Sequence, residues 1–355
     1  MQKRTGRTVL LAAMLAVFAL FAAACGNATD TATDDTSPTT TAADLTGSEV
    51  TVYSGRSEEL VKPLLQQFEQ ETGVKVNVKY GDSPELASLL TTEGANSPAD
   101  VFFAQDAGSL GVVSEAGLLE TQPKGTLELV PEQFRAENGD WIGTSGRARV
   151  IVYNTADLKA DQVPDSVFGL TDPKWKGKIG VAPSNGSFQA FVAAMLNEIG
   201  AEKTEAWLEG LKANDPKIYA KNGQIVEGVA NGEVQLGLVN HYYLLKQKKE
   251  QGDVPAENKF LKSDDPGSLV NVAGVGVLKT AKNKAAAEAF VNYLLSEQGQ
   301  NAVVTATSEY PVVEGVAGPQ GVPGLGDVSG IKVDLSALGP SQTEAVDLIK
   351  QAGLL

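Results

Sequence analysis

Two adjacent tyrosines, Tyr242 and Tyr243, follow Asn240-His241 and an apolar run, Val234 to Val239, that reads as a β-strand. In α/β proteins ligands bind beyond the carboxyl ends of strands. If the strand geometry breaks there, both hydroxyls can face one point. A phenolate oxygen is a hard, anionic donor suited to a highly charged cation, and such a cation favours loss of the phenol proton. Fe(III) is the expected ion. The same dipeptide also fits a plainer role, with one ring in the core and the other at the surface. His241 is the chain's only histidine, which excludes a multi-histidine zinc or non-haem iron site. Strand alternation turns it away from one of the tyrosines.

Other chemistry is poorly supplied. Cys25 is the only cysteine, and with one histidine no Ser/His/acid constellation stands apart from the tyrosine motif. There is no Gly-x-x-x-x-Gly-Lys-Ser/Thr phosphate loop. Paired carboxylates for glycoside hydrolysis arise by chance among 44 acidic residues. The expectation is a binding protein and not an enzyme, with a secreted hydrolase as the remote alternative.

The elements that would position these residues alternate. Val50–Tyr53 is β-rich, Ser54–Ser57 a turn, and Glu58–Gly73 an amphipathic helix with Leu60, Val61, Leu64, Leu65 and Phe68 on one face. A strand at Val74–Val78, a helix at Pro84–Gly94, a strand at Ala99–Phe103 and a helix at Gly108–Gly117 follow. This order argues for an α/β fold with a parallel sheet covered on both faces. A second unit runs through Arg147–Tyr153, Lys178–Ala182, a helix from Phe188 to about Ile199, and the strand before the tyrosines. Helices are expected at Lys284–Ser296, at Glu297 to about Thr305 and at Gln342–Gln351, with loop from Gly315 to Gly330. Val150–Tyr153 and Val270–Leu278 read as crossings between two lobes, giving a hinge and an interlobe cleft. The first lobe is residues 48–149 plus about 270–310. The second is 150–269 plus part of the C-terminal segment.

The start of the chain reads as an address. Lys3, Arg4 and Arg7 precede an apolar run from Val9 to Ala24, so residues 1–24 form an export signal. Ala22-Ala23-Ala24-Cys25 resembles a bacterial lipobox, which makes Cys25 the expected lipidation site and the mature N-terminus. Residues 25–47 are rich in Thr, Asp and Ala and read as a disordered tether. Cleavage before Cys25 removes three positive charges and no negative ones, taking the net charge from −15 to −18. Nucleic acid is excluded as a partner, because phosphate backbones need basic patches. The expected location is the outer face of the cell membrane, held through the lipid only.

Several motifs in one order resemble the bacterial ferric-ion-binding proteins of iron ABC transporters, over about Val50 to Leu355. They are Val50-Thr51-Val52-Tyr53-Ser54-Gly55, Ser97-Pro98-Ala99-Asp100-Val101-Phe102-Phe103, Trp175-Lys176-Gly177-Lys178-Ile179-Gly180-Val181-Ala182-Pro183, and Asn231-Gly232-Glu233-Val234 leading to Asn240-His241-Tyr242-Tyr243. The resemblance implies a two-lobed periplasmic-binding-protein-like fold, Fe(III) as cargo on Tyr242 and Tyr243, a permease as partner and a monomer. It also implies a synergistic anion such as phosphate or carbonate, held by Asn185, Gly186, Ser187, Asn222 and Asn240, with Arg147 beside it. Gly186 permits close backbone approach, and a helix N-terminus near Phe188 suits an anion. Some members use a histidine and a glutamate from the first lobe; here Ser57 and Gln105 stand there, with Glu58 and Asp106 as neighbouring carboxylates. The same architecture with a phosphonate, polyamine or thiamine-like solute is the alternative.

Anchoring is predicted to depend on the single thiol. Cys25→Ser is expected to move the protein from the membrane fraction to the medium, as read by fractionation and immunoblot.

Overall fold

A computed structural model describes residues 45–328 and 334–355. The export signal, Cys25 and the tether as far as residue 44 lie outside the described residues, as do residues 329–333. The folded part starts earlier than composition suggests. Leu45 packs on the core and the Gly47 N–H donates to Gly73 O at 3.0 Å, so residues 45–47 belong to the fold and not to the tether. No helix among the described residues is long and apolar enough to cross a membrane.

The first half follows the expected alternation: β1 (Glu49–Ser54), α1 (Glu58–Thr72), β2 (Lys75–Tyr80), α2 (Ser83–Glu93), β3 (Val101–Ala104), α3 (Ala107–Glu115) and a single turn, α4 (Lys124–Leu127). Leu60, Val61, Leu64, Leu65 and Phe68 of α1 are buried, each contributing about 1.5–3 kcal/mol of hydrophobic stabilisation. β4 (Ile142–Asn154) is next, with all thirteen residues buried. β5 (Ile179–Val181), α5 (Gly186–Ile199), α6 (Ala201–Ala213), β6 (Lys217–Ile218), α7 (Asn222–Ala230), β7 (Leu236–Asn240), α8 (Tyr242–Gln251) and β8 (Ala256–Phe260) build the second unit. The chain then returns through β9 (Val270–Val277), α9 (Lys284–Leu295) and α10 (Glu297–Thr307). The one-turn α11 (Leu325–Val328) lies in the segment read as loop, and α12 (Leu338–Gln351) closes the chain.

The strands run in the order β2-β1-β3-β9-β4-β7-β5-β6, with β8 beside β4. β1 is parallel to β2 and β3, but β9 is antiparallel to both β3 and β4. The sheet is therefore mixed and not purely parallel, because the returning strand enters it from the opposite end. β4 is the strand that both halves share. Ile142–Ala148 pair with β9, and Arg149–Asn154 pair with β7 and β8. β9 lies beside β3 and the first half of β4, so the returning chain runs along the strand that both halves share.

A buried ion pair pins the loop after β1. Arg56 donates through Nη1 to Glu309 Oε2 at 3.0 Å and through Nη2 to Glu309 Oε1 at 2.6 Å, and Ser145 Oγ donates to the same carboxylate. Both charged side chains are almost wholly out of solvent, and the Arg56 guanidinium sits 5.7 Å from the Phe103 ring centre. The bidentate geometry is what makes such burial tolerable. Arg56→Gln leaves Glu309 without its counter-ion and is predicted to cost about 3–5 kcal/mol in urea unfolding, with most of it recovered in the Arg56→Gln/Glu309→Gln pair.

Candidate functional site

β7 ends at Asn240 and α8 begins at Tyr242, so the tyrosines open a helix and do not extend the strand end. Their rings stack with centroids 4.3 Å apart and an interplanar angle of 29°. Tyr242 is fully buried and its hydroxyl has no hydrogen-bond partner, a state that costs about 1–3 kcal/mol in a folded protein. Tyr243 is half-buried and lines a cleft of about 620 Å³. Burial pushes the Tyr243 hydroxyl well above its ordinary value and the adjacent Tyr242 oxygen adds to this, while Arg147 and Arg56 pull the other way. Without a cation the Tyr243 hydroxyl keeps its proton. His241 occupies the N-cap position of α8, so strand alternation does not govern it. It is fully buried, its Nδ1 accepts from the Ala148 N–H at 3.2 Å, and it stacks on Tyr310 at 4.5 Å. Burial holds it down at about 4, with Glu309 opposing, so the ring is neutral.

The residues expected to hold an anion converge behind Tyr243. Asn185 caps α5: its Oδ1 accepts from the Ser187 N–H at 3.1 Å and from Asn222 Nδ2 at 3.1 Å. Ser187 Oγ accepts from Asn240 Nδ2 at 3.2 Å. Asn185, Ser187, Asn222 and Asn240 are all buried. Arg149, which sequence reasoning passed over, ties the asparagines together, donating through Nη1 to Asn240 Oδ1 at 3.3 Å and to Asn222 Oδ1 at 3.5 Å. Its position two residues beyond Arg147 on one strand places both guanidiniums on the same face. Burial, with Arg147 adding, pushes Arg149 down to about 9 against the pull of the tyrosine oxygens. Arg147 is buried as well. Its Nη2 donates to Val272 O at 3.2 Å, and its Nε and Nη1 have no partner. Buried cations this short of acceptors call for an anion.

The turn after β3 meets this set directly. Gln105 Nε2 donates to Ser187 Oγ at 2.6 Å and to Asn185 Oδ1 at 3.3 Å. A Cβ on Gly186 would lie 2.7 Å from Asp106 Oδ2, so only glycine allows this approach. Asp106 itself is turned inward. It is fully buried, does not line the cleft, and caps α3 by accepting from the Ser109 N–H at 2.7 Å. Burial raises its carboxyl above the usual range, with Ser109 and then Arg147 pulling back. Ser57 and Glu58 line the cleft, but Glu58 is exposed and paired with Lys62 at 2.8 Å. Arg56, Lys221 and Lys246 also line it and carry no signal in the sequence beyond their charge. No three His, Cys, Asp or Glu side chains converge among the described residues.

A model of the bacterial extracellular solute-binding protein family matches residues 85–323. An Fe(3+)-binding periplasmic protein of Serratia marcescens is 36% identical over 310 residues, covering 86% of this chain and 90% of that protein. The major ferric iron-binding protein of Neisseria meningitidis is 35% identical over 86% of this chain and 93% of its own length. Among solved structures, iron-bound HitA from Pseudomonas aeruginosa superposes with a TM-score of 0.83 at 36% identity, covering 86% of this chain and 99% of that one. The Trichodesmium IdiA (FutA) protein, in complex with iron and citrate ligands, gives 0.72 at 32% identity, covering 86% and 99%. These relatives are two-lobed binding proteins and not enzymes. With the family model spanning more than half its length and the relatives most of the rest, the chain belongs to the bacterial extracellular solute-binding protein family.

Proposed function

We propose that the protein captures Fe(III) in its cleft through the phenolate oxygens of Tyr242 and Tyr243 and delivers it to the permease of an ABC importer. The observation that carries this reading is the buried, unpartnered Tyr242 hydroxyl stacked on the cleft-lining Tyr243, with three arginines around them. A trivalent ion would take both oxygens once their protons are lost, and the arginines would balance an accompanying anion. That anion would sit among Asn185, Gly186, Ser187, Asn222, Asn240, Arg147 and Arg149.

The ligand count supports a generous exogenous share. Ser57 and Gln105 are neutral, Asp106 is committed to its helix cap, and Glu58 is held by Lys62. Oxygens from phosphate, carbonate or a carboxylate ligand would complete the coordination, and the relative with iron and citrate ligands favours the carboxylate class. In the same reading, residues 48–149 with about 270–310 form the first lobe, and the remainder of 150–269 with α12 the second. Closure then brings Gln105 onto Asn185 and Ser187. Cys25 would carry the lipid that keeps a monomer on the outer face of the membrane. The alternative of a small organic solute rests on the same neutral first lobe.

Tyr243→Phe keeps the ring stack and removes one oxygen. Each single Tyr→Phe change at 242 or 243 is expected to weaken Fe(III) binding by at least ~100-fold, about 2.7 kcal/mol. The double change should abolish the visible tyrosinate–iron band when ferric citrate is titrated into apo protein. A wild type that binds no Fe(III) with phosphate, carbonate or citrate present would overturn the iron reading in favour of the organic solute. Gly186→Ala places a methyl against Asp106, and is expected to enlarge the radius of gyration of the iron-treated protein by small-angle scattering while leaving the melting temperature of the apo form within a few degrees.

A further inference from the structure

The C-terminal helix α12 lies against both α3 and α5, and its two sides are built differently. Toward α5 the contacts include three hydrogen bonds. Asn197 Nδ2 donates to Ala337 O at 3.1 Å, Ser341 Oγ donates to Asn197 Oδ1, and Gln342 Nε2 reaches Gln189 Oε1 at 3.4 Å. Toward α3, no side-chain hydrogen bond joins the two helices among the described residues. The contact there includes a close backbone approach, because a Cβ on Gly339 would lie 2.6 Å from the Gly111 carbonyl carbon. One turn along, a Cβ on Gly108 would come within 2.3 Å of Gln342 Oε1, and that oxygen is buried without a partner.

The position matters because α3 and α5 carry the two sides of the cleft contact at their N-termini. Asp106 caps α3, and Asn185 to Ser187 open α5. Gln342 sits between Gly108 and Gln189, within a turn of both. A surface held by directional bonds resists shear, whereas a glycine face held by dispersion alone can part and reseat. The unpartnered Gln342 oxygen makes the seated state costlier and would regain a partner from water on parting.

We propose that α12 is a latch that travels with the second lobe and seats on the glycine face of α3 only when the cleft is closed. It thereby biases the open–closed equilibrium from behind the site. The inference rests on the two-lobed closure but not on the identity of the cargo.

The test uses the full chain with Cys25→Ser and nitroxide labels on cysteines at Glu59 and Glu227, both exposed and on opposite walls of the cleft. Pulsed electron–electron distances are measured without iron. Gly339→Ala pushes α12 off the Gly111 backbone and is expected to raise the population at longer separations roughly threefold or more. Gly108→Ala meets chiefly the movable end of Gln342, with Asp106 Oδ1 next at 3.3 Å, and should give a smaller shift of the same sign, so it decides the matter if Gly339→Ala does not fold. Distances unchanged in folded variants, with only the melting temperature lowered, make α12 static packing and overturn the latch. Ferric citrate is then added to the labelled wild-type chain and its tyrosinate band recorded. The absence of that band overturns the cargo reading and leaves the iron-free latch result standing.

Discussion

Buried positive charge that lacks acceptors is the condition on which the rest of the structure depends. Arg56, Arg147 and Arg149 are all withdrawn from solvent. Only Arg56 has a bonded carboxylate, Glu309. Arg149 is left to side-chain and backbone carbonyl oxygens, and Arg147 has a single carbonyl bond with two nitrogens unpartnered. A low-dielectric interior penalises isolated charge far more than neutral polarity. Such an arrangement persists because rigid strands impose it. Asp106 attracts Arg147 and the tyrosine oxygens attract Arg149, and in the proposed reading an arriving anion would relieve what remains.

The fold imposes this arrangement through β4. One half of that strand pairs with β9 and the other half with β7 and β8. Arg147 and Arg149 fall on either side of the change of partner. Their side chains therefore belong to different parts of the sheet while sharing one face. β7 then delivers Asn240 opposite Arg149 and releases the chain into α8, whose first turn presents the tyrosines. Two helix N-termini, at Asp106 and Asn185, converge on the same place, with their end N–H groups capped by side chains.

Much of the local structure was legible from pattern. The apolar positions of α1, the strand–helix alternation through α3, and the closing helix all follow from the period of hydrophobic residues. The pattern was silent or misleading where burial removes periodicity. β4 is buried at every position, so it carries no alternation to mark where one pairing ends and the next begins. α8 is mostly polar and opens with two aromatics, which reads as the end of a strand. Asp106 looked like a free carboxylate, because a cap is visible only when the N–H of Ser109 is seen to point at it.

The sequence by itself determined the chemical inventory of the chain: a tyrosine pair, one histidine, a solitary cysteine, neutral residues at Ser57 and Gln105, and an acidic composition with no catalytic constellation. These are properties of residue type and order, which no packing can alter. Tertiary structure alone decided which of these groups meet. Arg149 reaches Asn222 and Asn240, residues 73 and 91 positions away. Arg56 reaches Glu309 across 253, and Gly186 lies against Asp106, 80 positions earlier. Contacts at such separations leave no local mark on the chain, because each partner satisfies its own helix or strand equally well without the other. Only the folded sheet and the helices packed on it bring their charges and oxygens within a few ångströms, where electrostatics in a dry interior becomes strong.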